Sequence, residues 1–404
     1  MQTAQLDRDL ISPFEKTRAG VPNALPLSAP AFLREPKKKI AFLYLGRRGG
    51  VARLAYELGK AAIEDPRIDP LLVLSDSNEL LGPTRTLSNV LRTVKVFSSG
   101  IGALTQAYRI PSLVQNLNDI LNGHRTETVV VLASHVWSPV IAPFLKQSGR
   151  RFVVIVHDGA PHPGDVTGLA YHWLLRDAAQ ADRLITLSSS VTTELSTKRH
   201  IPREKIVTLF HPVMSYVEDG AHTGWRGERP LRLLFFGRMM DYKGLPLLVA
   251  ALEELRTKGL TVDVTVAGEG DLKGHEKRLE SLGATIVNRW LCDGELSRLL
   301  ATHDAALLTH VEASQSGCAA AALGAGLPVI TTPVGGLVEQ VTHEVNGLVA
   351  DRVDAGAIAR EISRIANDPT LYRRLARGVA RQRDGQRMPD FLNSILDAMP
   401  WNAH

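Results

Sequence analysis

Cysteine is nearly absent from this sequence of 404 residues, in which Cys292 and Cys318 are the only two. Their spacing does not match that of metal ligands, and two thiols cannot form a disulfide framework. A chain of this length can bury a large core without disulfides. Because scarce cysteines are typical of proteins from reducing compartments, we expect a cytoplasmic protein.

Long apolar runs are also missing. No stretch approaches the 18 consecutive apolar residues that indicate a transmembrane helix. The first residues lack the basic segment and apolar run of a signal peptide, so we expect neither a membrane span nor a cleaved leader. Aromatic residues make up 5% of the chain and are not interleaved with basic residues, which predicts no nucleic-acid partner.

Positive charge is in slight excess, with a formal net charge of +5 and a pI near 9.2. Such a balance suits anionic lipid, nucleic acid or a phosphorylated substrate. We expect Lys37–Lys39, Arg47–Arg48 and Arg150–Arg151 to form one basic face in the first half of the chain. This face would place the protein at an anionic surface, the inner face of the plasma membrane. A solvated basic surface without a partner is the alternative.

Short apolar runs alternate with helix-like stretches through most of the chain. Residues 1–36 precede this alternation, and their five prolines and lack of periodicity predict a disordered or extended segment. The glycine-rich, charged segment 213–230 interrupts the alternation, and we interpret it as a linker. Because such alternation forms parallel, doubly wound sheets, the sequence predicts an α/β fold with one sheet in 37–212 and another from residue 231.

The strands are predicted from runs of aliphatic and aromatic residues. In the first series these runs are Lys37–Leu45, Leu71–Leu74, Val129–Ala133, Phe152–Val156, Leu184–Leu187 and Ile206–Leu209. In the second series they are Leu231–Phe236, Val262–Ala267, Thr285–Val287, Ala305–Leu308 and Pro328–Thr331. Open sheets bind ligands beyond the carboxyl ends of their strands, so we expect the site in a cleft between the two sheets.

Three glycines, Gly46, Gly49 and Gly50, follow the first strand and open the first helix. Glycine lets the backbone approach a ligand closely, and a helix N-terminus offers free N–H groups to an anion. The order G-x-x-G-G differs from the dinucleotide fingerprint G-x-G-x-x-G. Asp76 follows the second strand, so a nicotinamide-dependent dehydrogenase stays open as an alternative, as does a plain tight turn.

Histidines and aspartates cluster after another predicted strand. His157 and Asp158 follow the strand directly, and His162 and Asp165 lie in the proline-bounded loop beyond it. Such residues usually face the cleft, and we expect Asp158, His162 and the similarly located His135 to do so. Metal binding is an alternative, although the spacing gives no common helical face. A histidine that only satisfies a loop carbonyl is another.

Two cations, Arg238 and Lys243, follow the first strand of the second series. Arginine offers a planar fork of donors and lysine a point charge, a combination that suits a diphosphate. If a phosphate is the leaving group, these side chains stabilise the charge that develops on it. An exposed ion pair is the alternative interpretation.

A polar loop, Ser314–Gly317, precedes a helix of small residues, Cys318–Leu323. The N-terminus of this helix suits a phosphate or a hydroxyl-rich ligand. Core packing alone would account for the alanines of the helix, but not for the polar loop before them. Gly335 and Gly336 form a second flexible loop after the next strand.

The sequence resembles the retaining GT-B glycosyltransferases of family 4. The resemblance rests on the stretches FFGRMMDYKGL, VAGEGDL, SQSGCAAAALGAGLPVITTPVGGLVEQV and NGLV, in this order. It is strongest over 231–366 and looser over 37–212. It implies two Rossmann-like domains that face a central cleft, with the acceptor domain in 37–212 and the nucleotide-sugar domain in 231–385. The last helix, in 386–404, would cross back to the first domain.

The resemblance also implies roles for single residues. Arg238 and Lys243 would bind the donor diphosphate and, with His157 beside the transferred sugar, form the catalytic set. The region Asn288–Leu291, which includes Trp290, would lie beside the base. On the acceptor side of the cleft, the implied residues are His135, Asp158 and His162. The implied donor-binding residues are Gly49, Gly50, Arg238, Lys243, Gly268, Trp290, Leu291, Ser314, Gln315, Ser316, Gly317 and Glu339.

The sequence departs from the family pattern at two glutamates, eight positions apart, that contact the donor. Their positions are taken by Ala313 and Ala321, and Glu312 lies one residue away. The loop instead resembles that of a bacterial branch with the order Ser-Gln-Ser-Gly. This resemblance implies that Ser314, Gln315 and Ser316 take over the donor contacts.

The activity implied is transfer of a sugar from a nucleotide-sugar to an acceptor hydroxyl with retention of configuration. The acceptor would be a glycan or a lipid-linked glycan, as in bacterial polysaccharide or glycolipid assembly, and neither a cofactor nor a metal is expected. Two alternatives stay open. One is a nucleotide-sugar-binding protein without catalysis, and the other is a different GT-B enzyme, such as an epimerase or phosphorylase.

Overall fold

The computed structural model describes residues 36–97, 102–147, 149–161, 171–217 and 224–399. From Lys37 onward the chain forms one compact unit that contains two parallel sheets. Several predictions fall wholly or partly outside the described residues. They concern residues 1–35 of the extended segment, residues 218–223 of the linker, residues 400–404 of the C-terminal segment, the site residue His162 and the alternative metal ligand Asp165.

The first sheet is built from seven parallel strands, most of them short buried runs of aliphatic residues. They are β1 (Lys38–Tyr44), β2 (Ile68–Ser75), β3 (Leu91–Val94), β4 (Thr128–Val131), β5 (Arg151–Val156), β6 (Arg183–Thr186) and β7 (Ile206–Thr208). Their order in the sheet is β3-β2-β1-β4-β5-β6-β7. Because helices cover both faces of such a sheet, its central strands are apolar throughout.

The helices of the first half lie between these strands. They are α1 (Gly50–Glu64), α2 (Leu81–Thr84), α3 (Gly102–Thr105), α4 (Ile110–His124), α5 (Ser138–Gln147), α6 (Tyr171–Gln180) and α7 (Ser189–Lys198). Single 3-10 turns occur at Arg85–Leu87, Ala107–Arg109 and Arg203–Lys205. Helix α1 buries Leu54, Ala55 and Leu58, the spacing expected of an amphipathic helix on a sheet.

The second sheet has six parallel strands. They are β8 (Leu231–Phe236), β9 (Val262–Ala267), β10 (Thr285–Val287), β11 (Ala305–Leu308), β12 (Val329–Thr331) and β13 (Gly347–Val349). Their order is β10-β9-β8-β11-β12-β13. The helices are α8 (Leu245–Thr257), α9 (Glu276–Ser281), α10 (Asp293–Thr302), α11 (Gly317–Gly324), α12 (Leu337–Gln340), α13 (Ala355–Ala366), α14 (Pro369–Gly385) and α15 (Met388–Ala398), with a 3-10 turn at Asp241–Lys243.

The predicted architecture of two parallel, doubly wound sheets is confirmed, and every strand predicted from an apolar run is present. Two strands, β3 and β13, were missed by the sequence reading. Both lie at the edge of a sheet, and β13 has only three residues. In β3 only Val94 is buried, so an edge strand of this kind lacks the apolar run by which central strands are recognised.

In each sheet the strand order reverses beside the strand that comes first in the chain. In the first sheet β1 lies between β2 and β4, and in the second β8 lies between β9 and β11. Ligands of open α/β sheets bind at such reversal points, beyond the carboxyl ends of the strands. The turns after β1 and β8 are therefore the places where a ligand site is expected.

The last helix, α15, belongs spatially to the first sheet. Phe391 and Ile395 are fully buried in one cluster with Leu54 and Leu58 of α1. The rings of Phe391 and Phe210 pack edge to face with their centroids 5.9 Å apart. The chain thus completes the second half through α14 and then covers the core of the first half with α15.

The predicted basic face is not formed. Arg150 is buried, and its guanidinium donates hydrogen bonds to the side-chain oxygens of Asn118 and Asn122. Lys38 begins β1, whereas Arg47 and Arg48 follow the last residue of β1. These cations therefore lie at opposite ends of the strand. In the parts of the chain that the structure describes, no helix combines the length and apolarity needed to span a bilayer.

The packing of α15 predicts a large loss of stability on truncation of Phe391. Because its side chain is fully buried, Phe391→Ala should lower the free energy of unfolding by about 3–5 kcal/mol. Leu104→Ala is the control, since Leu104 is 83% exposed and should change stability by less than about 0.5 kcal/mol. Urea unfolding followed by circular dichroism measures both. Equal stability of the two variants would show that α15 does not complete the core.

Candidate active site

The turn after β1 directs backbone N–H groups into the cleft. Gly49 has φ +94°, a left-handed conformation that glycine adopts without strain, and Gly50 begins α1. A side chain at Gly50 would meet no atom within 4 Å, so the start of the helix is open. The Gly49 N–H donates to Glu79 Oε1 at 2.6 Å. The predicted anion position at this helix N-terminus therefore already holds a carboxylate.

The turn after β8 holds the two predicted cations. Lys243 is 7% exposed, and the Thr309 hydroxyl donates to its carbonyl oxygen at 3.1 Å. Among the described residues, Lys243 Nζ contacts the Cys318 thiol at 3.4 Å and lies 5.6 Å from the centroid of the Tyr242 ring, and no carboxylate pairs with it. A buried ammonium without a counter-charge is unfavourable unless an anion joins it.

Arg238 lies on the same turn but faces solvent. Within the described part of the chain its guanidinium has no hydrogen-bond or ion-pair partner. The exposed-ion-pair interpretation of Arg238 and Lys243 is therefore wrong for both side chains. Together they supply one buried and one accessible positive charge at the reversal point of the second sheet.

The polar loop before α11 lies beside these cations. The Ser316 hydroxyl caps α11 by accepting from the Ala319 N–H at 3.2 Å, and the Cys318 thiol donates to the Phe236 carbonyl oxygen at 3.2 Å. Gln340 fixes the loop, since its side chain accepts from the Ser316 N–H at 2.8 Å and donates to the Ser316 carbonyl oxygen at 3.1 Å. The N-terminus of α11 and the Lys243 ammonium therefore share one side of the cleft.

His157 connects the two halves of the cleft. Its Nε2 donates to the Leu132 carbonyl oxygen at 2.7 Å, and its Nδ1 accepts from the Gln315 amide at 2.6 Å. Burial lowers the pKa of His157, so the ring is neutral at pH 7 and has a defined tautomer. Since both ring nitrogens are engaged, His157 in this arrangement holds Gln315 in place.

Two further predicted donor residues, Glu339 and Gly268, make contacts within the protein. Glu339 accepts from the backbone N–H groups of Ser189 (2.8 Å) and Ser190 (3.1 Å) at the start of α7, so it links the second half to the first. Gly268 has φ +144°, and a Cβ there would lie 1.9 Å from the Gly237 carbonyl oxygen. Glycine at this position lets two turns of the second sheet pack directly on each other.

Trp290 reaches across the cleft. Its indole N–H donates to Glu79 Oε2 at 3.0 Å, and the Arg48 guanidinium lies 4.1 Å from its ring centroid. The adjacent Leu291 is partly buried against the apolar core of the second half. Trp290 thus stands at the mouth of the cleft, near the Gly49 turn.

The remaining acceptor-side candidates lie in the first half. The ring of His135 stacks on Phe97, with centroids 4.8 Å apart, and burial lowers the pKa of His135 to about 4. Asp158 is exposed and borders a cavity of about 140 Å³ beside His157. His135 is therefore an aromatic packing residue, whereas Asp158 is accessible to a ligand.

The two positions of the family glutamates are filled by core methyl groups. Ala313 is 4% exposed and Ala321 is 2% exposed. A Cβ at Gly335 would lie 1.7 Å from the Ala313 carbonyl oxygen, so the glycine loop packs directly on this segment. Both side chains are therefore buried, and neither brings a carboxylate to the cleft.

Metal ligands do not cluster in the described parts of the chain. No group of three or more histidine, cysteine, aspartate or glutamate side chains there could hold a metal ion. The alternative of a metal bound by His157, Asp158, His162 and Asp165 includes two residues outside that part.

Sequence reasoning missed two charged residues of the cleft. Arg53 on α1 pairs with Asp293 at 2.9 Å in the second half and also contacts Glu57 and the Ser215 carbonyl oxygen. Glu79, which follows β2, accepts from the Gly49 N–H and from the Trp290 indole N–H, and no local sequence motif indicates these contacts. An arginine and a glutamate four residues apart on an otherwise apolar helix face were the available signal for Arg53.

Two family models match this chain. Residues 48–213 match the model described as Glycosyltransferase Family 4, and residues 230–368 match the model described as Glycosyl transferases group 1. Together the matches span about three quarters of the chain, with one model on each sheet.

A curated relative matches part of the chain. Glycogen synthase of Mycobacterium tuberculosis is 31% identical over 225 residues, which cover 52% of this chain and 51% of the relative. The chain thus spans about half the length of this relative.

Solved structures match over most of the chain. A glycosyltransferase from Rickettsia africae has a TM-score of 0.69 at 16% identity and covers 89% of this chain and 97% of its own. HepE of Anabaena, solved in complex with UDP-glucose, has a TM-score of 0.66 at 16% identity. The match covers 89% of this chain and 100% of the HepE chain. These likenesses confirm the predicted GT-B fold. The chain therefore has the GT-B fold, with its first half matched by the Glycosyltransferase Family 4 model and its second half by the Glycosyl transferases group 1 model.

Proposed function

We propose that this protein transfers a hexose from a nucleotide-sugar to an acceptor hydroxyl with retention of configuration. The observation that carries the proposal is Lys243, a buried ammonium that no carboxylate in the described part of the chain neutralises. Such a charge fits a site that takes up an anion during its working cycle. A nucleotide-sugar brings that anion as its diphosphate.

The donor diphosphate would lie between the two domains. Lys243 and Arg238 approach it from the turn after β8, and the N-terminus of α11 adds backbone N–H groups. The Gly49–Gly50 turn faces it from the first domain. The HepE neighbour, which shares this fold, holds UDP-glucose, and this supports a nucleotide-sugar as the ligand.

The donor sugar would be bound by the loop Ser314–Gly317, which lies where the family pattern has its two glutamates. Gln315 Oε1 is buried and has no hydrogen-bond partner among the described residues, while its amide nitrogen is fixed by His157. A buried amide oxygen normally accepts a hydrogen bond. We assign this acceptor to a hydroxyl of the donor sugar, with Ser314 and Ser316 beside it.

The transfer needs no side-chain nucleophile in this scheme. The bond between the anomeric carbon and the diphosphate oxygen breaks, and the acceptor oxygen forms its bond on the same face of the sugar. The acceptor proton passes to the departing phosphate oxygen. Arg238 and Lys243 stabilise the negative charge that develops on the leaving diphosphate. With two cations in this role, neither a metal nor another cofactor is needed.

The acceptor would bind in the first domain. The cavity of about 140 Å³ beside His157 is lined by apolar side chains, including Leu174 and Leu175, and by Ser134, Asp158 and Tyr171. No lysine or arginine is among its described lining residues, which favours an uncharged ring over a phosphorylated one. A glycan or lipid-linked glycan acceptor meets this description, as in polysaccharide or glycolipid assembly.

A screen of donors tests this function most simply. UDP-, GDP- and ADP-sugars are tested for thermal stabilisation of the protein and for release of the nucleoside diphosphate. One donor should stabilise the protein and be turned over slowly without acceptor. Arg238→Ala should bind that donor about 10-fold or more weakly, since a charge-assisted hydrogen bond to phosphate is lost.

Arg232→Ala is the matched control because Arg232 is an exposed arginine at the other end of β8. It should leave donor binding unchanged. Stabilisation by a donor without any turnover, even with glycan acceptors, would favour a binding-only protein. Interconversion of the sugar within the donor would favour an epimerase. No stabilisation by any donor would contradict the proposal.

A lipid-linked acceptor would bring the enzyme to an anionic membrane. The segment 80–118 contains four basic residues and no acidic one. Within it, Leu104 and Tyr108 are 83% and 73% exposed, and Arg109 follows directly. Exposed apolar side chains beside cations are typical of surfaces that bind at the lipid headgroup level.

Vesicle co-sedimentation tests this membrane contact. The wild-type protein should sediment with vesicles that contain anionic lipid, and the double variant Leu104→Ser with Tyr108→Ser should lose most of that binding. Val353→Ser, at an exposed position of the second domain, is the control and should bind like the wild type. Failure of the wild-type protein to sediment would exclude the membrane proposal.

A further inference from the structure

Helix α1 takes its N-terminal counter-charge from a distant residue. No side chain of its own caps it, and its first turn contains no acidic residue. Glu79, which lies beyond β2, accepts from the Gly49 N–H through Oε1 at 2.6 Å. A carboxylate at this point is favoured by the positive end of the helix dipole. Glu79 therefore sits where an incoming anion would interact with α1.

The same carboxylate also holds the second domain. Glu79 Oε2 accepts from the indole N–H of Trp290 at 3.0 Å. Arg48 lies over the Trp290 ring, 4.1 Å from its centroid, and pairs with Glu269 at 2.9 Å. Two residues of each domain thus form one small network across the cleft, with Glu79 bridging the Gly49 turn and Trp290.

The side chain of Glu79 is free to leave this position without unfolding its loop. Glu79 is exposed, and its backbone N–H is held separately by the Arg47 carbonyl oxygen at 2.8 Å. Desolvation at the cleft raises the pKa of its carboxyl, although the side chain as a whole is accessible to solvent. A rotation of the side chain into solvent would therefore break only the contacts to Gly49 and Trp290.

The proposed donor and Glu79 compete for one place. The Gly49 N–H already donates to the Glu79 carboxylate. A diphosphate that approaches the same N–H would therefore lie close to this carboxylate, and the two negative charges would repel each other. We infer that Glu79 is an internal anion that occupies the first-domain diphosphate position, and that the donor must displace it to bind. Glu79 then determines donor affinity. The inference rests on the proposed function, because it takes the diphosphate as the competing anion.

Calorimetric titration of the full chain with UDP, and in parallel with GDP and ADP, tests this inference. Glu79→Gln removes the charge and keeps the shape of the side chain. It should bind the preferred nucleoside diphosphate about 10-fold more tightly than the wild type, because the repulsion between the Glu79 carboxylate and the diphosphate is then absent. Asp76→Asn is the matched control, since it removes one charge from an exposed residue of the same loop. It should change the affinity by less than about two-fold.

Each outcome separates the inference from the function beneath it. If a nucleoside diphosphate binds the wild type, and Glu79→Gln binds it equally or more weakly, Glu79 is only a structural cap and the inference fails while the function stands. An equal gain in Asp76→Asn would also overturn it, because the effect would then be one of general charge. Binding to Glu79→Gln alone would support the inference. If neither protein binds any of the three nucleotides, the proposed function fails and the inference with it.

Discussion

The structure of the cleft depends on one buried charge, the ammonium of Lys243. Its neighbours among the described residues are a thiol and an aromatic ring, and neither neutralises it. Keeping a charge in such surroundings is unfavourable, so the turn after β8 must be held by other contacts. The hydroxyl of Thr309, the residue after β11, donates to the Lys243 carbonyl oxygen, and the Cys318 thiol of α11 donates to the Phe236 carbonyl oxygen at the end of β8. The fold thus holds the Lys243 ammonium in a buried position that becomes favourable only when an anion binds beside it.

The contacts across the cleft are polar and mostly single. Four hydrogen-bonded pairs join the two sides of the cleft. They are His157 with Gln315, Glu79 with Trp290, Glu339 with the backbone at the start of α7, and Arg53 with Asp293. Each pair joins the two domains through one or two hydrogen bonds, which contribute little net stability compared with a buried apolar contact. Such an interface can open and close as substrates enter and leave. Most apolar contacts lie within one domain, and α15, although it follows the second domain in the chain, packs in the core of the first.

Much of this could be predicted from the sequence, for identifiable reasons. Apolar runs reveal central strands, and the rule that ligands bind beyond strand ends identifies Arg238, Lys243 and His157 as candidates from the sequence alone. Contacts between residues far apart in sequence could not be predicted in this way. Glu79 accepts a hydrogen bond from Trp290, which lies 211 positions away in the sequence. Arg150 is buried and donates hydrogen bonds to two asparagines of α4, so neither role is visible in a local sequence pattern. The edge strand β3 was missed because only one of its residues is buried, and β13 because it has only three residues.

The central claim is that Lys243 binds the diphosphate of the donor, and one comparison of affinities tests it directly. Calorimetric titration of the wild type and of Lys243→Met with a nucleoside diphosphate, the matching monophosphate and the nucleoside would measure the contribution of each phosphate. The account predicts that wild-type affinity falls about 100-fold or more from diphosphate to nucleoside, and that Lys243→Met loses most of this difference. Equal binding of the diphosphate and the nucleoside by the wild type, or an unchanged preference in Lys243→Met, would contradict it.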